Sequence, residues 1–353
     1  MAVIPGRRWI PCALVLLALG GCLSVAPTHL TTDRMDYGQV VAESWKRQTL
    51  LNVVRLRYAD APVFLDVASI INSHTIGGSA NAQAGLTSGP TPDVFALGGT
   101  EAWSNTPTVT YQPLLGDRFT KSLLQPIRPA SVFQLMQGGW SADLIFPTVV
   151  SSINGLRNGS AGAPSDPEFD ELTSLMSRIQ RAGNIGIDVE PRKDDQAVLL
   201  VIRKPGTSDV PGDDGRRVRE LLGLAGDATQ FEIVYGMFPR DRGQVAVLTR
   251  SMMEIMLNLG FGIDLPAADV ASGRVLVGLR QADEAKGERL VHIRSGAEAP
   301  ADTYAAVQYK GNWYWIDDYD VESKRTFTFL MILFSLAETG QGVAAPVVTV
   351  PSR

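Results

Sequence analysis

Residues 75–86 read TIGGSANAQAGL, and every second residue of this stretch belongs to the same chemical set. Small or apolar residues form one series: Ile76, Gly78, Ala80, Ala82, Ala84 and Leu86. The other series contains neutral polar residues: Thr75, Ser79, Asn81 and Gln83. A period of two is typical of a β-strand. The segment SGPTPD at 88–93 then predicts a turn, and in the alternating run that follows, one series contains Phe95, Leu97 and Trp103. The sequence therefore predicts a β-hairpin over about residues 75–104.

Two interpretations of this hairpin stay open. Its small residues on one side and neutral polar residues on the other resemble the hairpins that subunits of oligomeric outer-membrane pores contribute to a shared pore. About nine to eleven residues per strand suffice for such a hairpin to cross a membrane. Glu101, however, falls in the series of Phe95 and Trp103, and a carboxylate counts against a lipid-facing surface. We therefore favour a soluble hairpin or a glycine-rich loop.

The chain before the hairpin is predicted to contain a tether, a helix and a strand. The tether covers residues 22–35, and Asp36 is placed to cap a helix over residues 36–59, which contain no proline. Period two then returns over residues 61–73 and predicts a strand. One side of the predicted helix carries a mixed set of residues: Val41, Trp45, Gln48 and Asn52.

Helical segments are predicted after the hairpin. Ser131 and Gln134 have the spacing of a capping box before a helix that ends near Gly138. A second helix is predicted over residues 141–153, with a kink or boundary at Pro147. Together these elements define a predicted N-terminal helix, hairpin and helical domain over residues 36–160.

A Gly/Pro/Ser-rich segment at residues 158–167 is the predicted domain boundary. Within the predicted linker and helix, 161–184, Asp166 is placed to cap a helix that has Pro167 at its first position and Gly183 as its stop.

From residue 185 onward, short strands alternate with helices, which predicts a C-terminal α+β domain over residues 185–339 and a tail over 340–353. The sheet is expected to be mainly antiparallel, with helices on one face. The predicted strands are Ile185–Val189, Ala197–Arg203, Phe231–Tyr235, Val245–Leu248, Leu290–Ile293, Tyr304–Tyr309 and Asn312–Ile316. The predicted helices are Arg216–Leu222, Arg250–Leu259 and Thr326–Ala337.

The first 21 residues have the zones of a secretory signal peptide. Arg7 and Arg8 supply positive charge, a run of about ten mostly apolar residues follows, and Gly20 and Gly21 are small. A run of this length is too short to cross a bilayer as a helix.

Leu19-Gly20-Gly21-Cys22 resembles the lipobox of bacterial outer-membrane lipoproteins. The resemblance covers the first 22 residues and implies that the Cys22 thiol is lipidated and that the chain is cleaved before it. Acyl chains on one residue would hold the protein on a membrane without a spanning segment. Lipoproteins kept in the inner membrane commonly carry aspartate after the cysteine, and Leu23 stands there. The resemblance thus implies an outer-membrane location, with the periplasmic face favoured over the cell surface.

Charge and cysteine content exclude several partners. Removal of residues 1–21 would leave 30 Lys+Arg against 37 Asp+Glu. This net negative charge predicts no binding of nucleic acid. Cys12 would leave with the signal peptide and Cys22 would carry lipid, so that no thiol is left for a disulfide or a zinc site. No cofactor is predicted.

The sharpest candidate for chemistry is the acidic cluster Asp317, Asp318 and Asp320, followed by Glu322. Carboxylates could bind calcium or magnesium, but the spacing of an EF-hand is missing. We favour the alternative that a strand ends at Ile316 and that Asp318 or Asp320 caps the next helix. His292, within a predicted strand, is expected to be structural, and no catalytic motif is found.

These observations predict a non-catalytic lipoprotein that acts as a scaffold or accessory subunit of an envelope assembly. Its expected partners are the membrane, through lipid on Cys22, and other envelope proteins, and a homo-oligomer is compatible with this prediction. Two alternatives stay open. One is an oligomeric pore or export subunit that inserts the hairpin at about residues 75–104, and the other is an envelope hydrolase whose acidic residues come from distant segments.

Overall fold

The structure, a computed structural model, describes residues 26–85, 94–160, 163–191, 196–203, 214–277 and 289–338. The predicted signal peptide, Cys22 and the predicted tail lie outside these residues. The described strands form a two-stranded hairpin, a three-stranded sheet and a six-stranded sheet, with helices between them in the chain. The predicted α+β class is confirmed.

The first helix is longer than predicted. Helix α1 spans Ala26–Arg57, so that most of the predicted tether is helical and Asp36 lies inside the helix rather than at its N-cap. A proline is tolerated in the first turn of a helix, and Pro27 is the last proline before Pro62. The helix ends where Ala59 adopts a left-handed conformation, with φ of 56°.

The hairpin consists of β1, Leu65–Gly85, and β2, Val94–Pro113. The two strands are antiparallel, and the register runs from Leu65 opposite Pro113 to Gly85 opposite Val94. The hairpin prediction is confirmed, but the strand predicted over residues 61–73 begins only at Leu65 and is the first part of β1 rather than a separate element. The predicted turn at 88–93 lies outside the described residues.

The helical region after the hairpin differs from its prediction in two places. Ser131 lies inside a helix whose N-cap is Arg128, and the predicted helix over 141–153 changes to a strand at Val150. Pro147 removes a backbone donor, and β-branched Val149 and Val150 favour extended structure. The elements here are α2 Gly116–Phe119, a π-helical turn Thr120–Leu124, α3 Pro129–Gln137, α4 Ala142–Val149 and β3 Val150–Ile153.

The next elements along the chain are β4 Leu156–Arg157, α5 Pro167–Arg181, β5 Ile185–Pro191, β6 Gln196–Ile202, α6 Asp214–Leu221, β7 Gln230–Tyr235 and β8 Gln244–Thr249. The six-stranded sheet has the order β4-β3-β8-β7-β6-β5 and is antiparallel except between β7 and β8. β3 pairs with β8, with Val150 opposite Thr249, so that this sheet crosses the predicted boundary at 158–167. The predicted division therefore does not separate two sheets.

The remaining elements are α7 Met252–Gly260, α8 Ala267–Ala271, β9 Arg294–Gly296, β10 Thr303–Tyr309, β11 Asn312–Asp317 and α9 Val321–Glu338. The three-stranded antiparallel sheet has the order β10-β11-β9. The C-terminal part of the chain therefore contributes to two sheets, whereas one was predicted, and the strand predicted at Leu290–Ile293 lies later, at β9.

One hydrophobic core joins these parts. It contains buried residues from both sides of the predicted boundary, among them Phe146, Phe231 and Phe329. Helix α1 contributes Leu50, Val53 and Val54 to it and packs against α7 and β10. The base of the hairpin is thus attached to a helix that is itself part of the core.

Candidate functional site

The hairpin β1–β2 is the most unusual surface of the described molecule. In the described part of the chain its strands pair only with each other, so that each has one unpaired edge. At about 3.3 Å per residue, β1 extends about 66 Å from Leu65 to Gly85. The unpaired N–H and C=O groups of a long edge can pair with another strand.

The register brings the two sequence series together. Ile76 lies opposite Trp103, Ala82 opposite Leu97 and Ala84 opposite Phe95, and residues opposite each other in an antiparallel pair share a face. In the neutral polar series Ser79 lies opposite Thr100, but Gln83 lies opposite Ala96. From residue 76 onward, one face therefore contains apolar or small residues apart from Glu101, and the other combines neutral polar residues with small or apolar ones.

Two side-chain amides of α1 hold the base of the hairpin. Asn52 donates from Nδ2 to the Val63 carbonyl oxygen at 2.8 Å, and its Oδ1 accepts from the Val63 N–H at 2.9 Å. Gln48 makes the same pair of bonds to Leu65, at 3.1 and 2.9 Å. We call these four hydrogen bonds the amide clamp.

The amide clamp works because two repeats agree in length. Residues four apart on a helix are separated by about 6.0 Å along its axis, and residues two apart on a strand by about 6.6 Å. Gln48 and Asn52 therefore match Leu65 and Val63 in reverse order. β1 therefore extends from the base of the hairpin towards the N-terminal end of α1.

A second polar network joins the C-terminal end of α1 to the three-stranded sheet. The Tyr58 hydroxyl donates to Asp269 Oδ2 at 2.6 Å and lies 2.5 Å from the Tyr314 hydroxyl, which must be the donor in that bond. Burial, together with these hydrogen bonds, raises the pKa of Tyr58. Nearby, Tyr309 donates to Asp60, and burial with this bond raises the pKa of Tyr309 to about 12.

A charged cleft of about 780 Å³ lies elsewhere on the described surface, at the N-terminal ends of α4 and α9. Asp264 follows α7, and its carboxylate accepts from Arg289 at 2.6 Å and from His292 Nε2 at 2.7 Å. A Cβ at position 262 would lie 1.8 Å from the Val291 carbonyl oxygen, so that only glycine allows these two segments to approach. The charged and polar lining residues are Asp143, Asp264, Arg289, His292, Arg294, Asp320, Glu322, Ser323, Arg325 and Thr326.

The groups in this cleft are largely satisfied by one another. Partial burial raises the pKa of Asp264, but the hydrogen bonds and charges of Arg289 and His292 outweigh burial, so that its pKa lies below the usual range. Arg325 lies 3.6 Å from Asp143. The cleft therefore combines acidic and basic groups that neutralise one another.

The acidic cluster, which was only a weak candidate for a metal site, is divided among separate partners. Asp317 accepts from Trp315 Nε1 at 2.9 Å and pairs with Arg294, and Asp318 pairs with Lys324 at 2.7 Å. Asp320 accepts from the Ser323 N–H at 3.0 Å and therefore caps α9, one of the two alternatives that were predicted. Within the described ranges, no group of three or more His, Cys, Asp or Glu side chains could hold a metal ion.

The sequence did not indicate the amide clamp or the pairing of Asp264 with His292. The spacing of Gln48 and Asn52 placed them on one side of a helix, which is correct, but gave no signal for a strand backbone as their partner. His292 was expected to be structural, and its bond to Asp264 joins residues that are 28 apart in the chain.

Comparisons with known proteins gave no match. No family model matches the chain, and no curated protein and no solved structure matches it. Among the helices that the structure describes, none combines the length and apolar character needed to cross a membrane.

Proposed function

We propose that the protein is a lipid-anchored subunit of a homo-oligomeric assembly in the outer membrane, and that it acts through its surfaces rather than by catalysis. In this proposal Cys22 carries the lipid. The hairpins of neighbouring copies pair edge to edge and enter the membrane as parts of a shared pore. The observation that carries the proposal is the pairing of β1 and β2 over 21 and 20 residues with no third strand in the described chain.

Strand length favours an assembled hairpin over an isolated one. Strands of globular proteins usually have about five or six residues, and an isolated two-stranded hairpin is marginally stable in water. Long exposed edges are normally blunted by charges, prolines or bulges. Apart from Glu101, residues 76–85 and 94–103 contain no charged residue and no proline. Pairing with one further copy on each side would satisfy both free edges.

The chemistry of the two faces supports a membrane environment for the assembled hairpins. Membrane-inserted strands place apolar residues towards lipid and polar residues towards the interior in alternation. The series that contains Ala82, Leu97 and Phe95 fits the lipid side, and the series that contains Asn81 and Thr100 fits the interior. Glu101 is the exception in the first series.

The test compares two arginine substitutions on neighbouring residues of β1. If the hairpin enters the membrane, Ala82→Arg should cost about 2–4 kcal/mol at mid-bilayer depth, whereas Asn81→Arg on the interior side should be tolerated. We expect Ala82→Arg to lose the detergent-resistant oligomer and Asn81→Arg to keep it. Equal tolerance of both substitutions would contradict insertion and would favour a scaffold with a soluble hairpin.

The anchor is tested separately. Cys22→Ser removes the only residue that the lipobox resemblance assigns to acylation, so the variant should lose palmitate labelling and membrane fractionation. A serine variant that still pellets with outer membranes after a high-salt wash would show that the lipid is not the only anchor.

A further inference from the structure

We infer that the membrane-inserted part of the hairpin is limited to residues 76–85 of β1 and 94–103 of β2, with its first boundary at the level that the lipid on Cys22 can reach. This inference rests on the proposed function and adds the depth at which the outer membrane surrounds the hairpin. It uses the direction set by the amide clamp, the lengths of two elements and the order of residues along the hairpin.

The amide clamp gives both elements a common starting level and direction. Asn52 pairs with Val63 and Gln48 with Leu65, so that the strand advances as the helix is followed backwards. From this level, α1 continues over 22 residues from Gln48 to its first residue, Ala26. The N-terminal end of the helix and the hairpin therefore project from the same side of the core.

The two lengths can then be compared. At about 1.5 Å per residue, Ala26 lies about 33 Å beyond Gln48, and the four further residues to Cys22 add at most about 14 Å. Because these four residues can run in either direction, the lipid attachment point lies within about 19 to 47 Å of the level of the amide clamp. At about 3.3 Å per residue, β1 covers the same distance between about residues 71 and 79.

The part of the hairpin beyond this level has the length of one membrane crossing. Residues 76–85 pair with residues 94–103 without interruption, which gives ten residues in each strand. About nine to eleven residues, tilted by about 40°, cross the apolar band of an outer membrane, which is about 25 Å tall.

The order of residues agrees with this boundary. Ile76 lies opposite Trp103 at the first position, where membrane strands commonly have aromatic residues at the lipid–water interface. Glu101 lies opposite Gly78, two residues further, and is therefore close to the headgroup level rather than at the bilayer centre. The carboxylate that counted against a lipid-facing surface thus falls where a charge costs least.

The experiment uses single cysteines in the full-length, lipidated protein in outer-membrane vesicles. Because Cys22 is consumed by lipid, an introduced cysteine is the only free thiol of the mature chain. An environment-sensitive fluorophore is attached to cysteines that replace alternate residues of one series: Ile70, Asn72, His74, Ile76, Ala80, Ala82 and Ala84. Cysteines at Ser79, Asn81 and Gln83 provide the matched control series.

We expect fluorophores at positions 76 to 84 to emit at shorter wavelength and to be quenched by brominated lipids. Those at positions 70 and 72 should behave as in water. The control series should respond to an aqueous quencher and not to brominated lipids. Lipid quenching that extends to position 70, or that begins only beyond position 82, would overturn the inferred boundary and leave the proposed function intact. Water-like emission at every position of an anchored protein would overturn the proposed function itself.

Discussion

The six-stranded sheet and the hairpin are supported by different kinds of contact. The strands of the sheet have two to seven residues and are fixed by side chains from distant segments. Asn154, for example, donates to the Leu222 carbonyl oxygen and accepts from the Ala246 N–H. The hairpin strands, of 21 and 20 residues, are about three times as long as the longest of these, and the described contacts from outside hold only the base of the hairpin. The comparison shows that contacts from distant segments support the sheet, whereas the described contacts to the hairpin are confined to its base. Under the proposed function, assembly supplies the missing contacts of the outer hairpin.

The largest loss of stability is expected when the buried Arg250 is replaced, because this residue connects the sheet to α4 and to the loop after β4 by hydrogen bonds. Its guanidinium donates to the Pro147 carbonyl oxygen at 2.7 Å, to the Thr148 carbonyl oxygen and to that of Gly159, and burial lowers its pKa to about 10. Arg250→Ala should lower the free energy of unfolding by about 3–5 kcal/mol, because three carbonyl groups lose a charged donor. Urea denaturation of the unlipidated protein measures this.

The matched control is Arg217→Ala, which removes an exposed ion pair with Glu171 and should leave the unfolding midpoint unchanged. Similar midpoints for the two variants would contradict the role of Arg250 in the sheet.

The next effect concerns the network that joins α1 to the three-stranded sheet. Tyr58→Phe removes the donor to buried Asp269 and should cost about 1–3 kcal/mol. Because the pKa of Tyr58 is raised in the folded state, its stabilising contribution is complete below pH about 10, the unfolded value, and declines as the pH rises above it. Melting temperatures measured from pH 8 to 11 should therefore fall more steeply in the wild type than in Tyr58→Phe. Parallel curves would count against this assignment.

A smaller loss of stability is expected at the amide clamp, and its location tests the comparison between the sheet and the hairpin. Asn52→Ala removes both bonds to Val63 and should cost about 1–2 kcal/mol, chiefly at the base of the hairpin. Hydrogen exchange of the Val63 and Leu65 amides should accelerate, while amides of β8 keep their protection. Acceleration throughout β8 would show that the clamp supports the core as well.

The smallest effect on folding is expected from shortening the hairpin. Replacement of residues 76–103 by Asn-Gly would close β1 and β2 after Thr75 and Ser104, which lie opposite each other. The unfolding free energy of the monomer should change by less than about 0.5 kcal/mol, since distant surface changes have little effect. The same variant should lose the membrane oligomer. A large loss of monomer stability would break the comparison between the sheet and the hairpin.

Local patterns predicted the elements better than their partners. Period two located β1 and β2, and Pro167 with Gly183 located α5, because these signals depend only on neighbouring residues. The pairing of β3 with β8 joins segments about 100 residues apart, and nothing local to Val150 indicates it. The predicted boundary failed to divide the sheets for this reason.

The candidate site could be predicted in part. The two chemical series of the hairpin were visible in the sequence, and the register then matched them across the strands. The amide clamp could not be foreseen, since amide side chains on a helix usually face water. The direction in which β1 leaves the helix could not be predicted either, because it depends on tertiary contacts.

The amide clamp also explains why the strand accompanies the helix over only two bonded positions. Each step of four helical residues falls short of two strand residues by about 0.6 Å. A third matching pair would be out of step by about 1.2 Å, and position 44 carries the short side chain of Ser44 rather than an amide. The repeats of the helix and the strand therefore match only at Asn52 and Gln48, and this short match determines where β1 separates from α1.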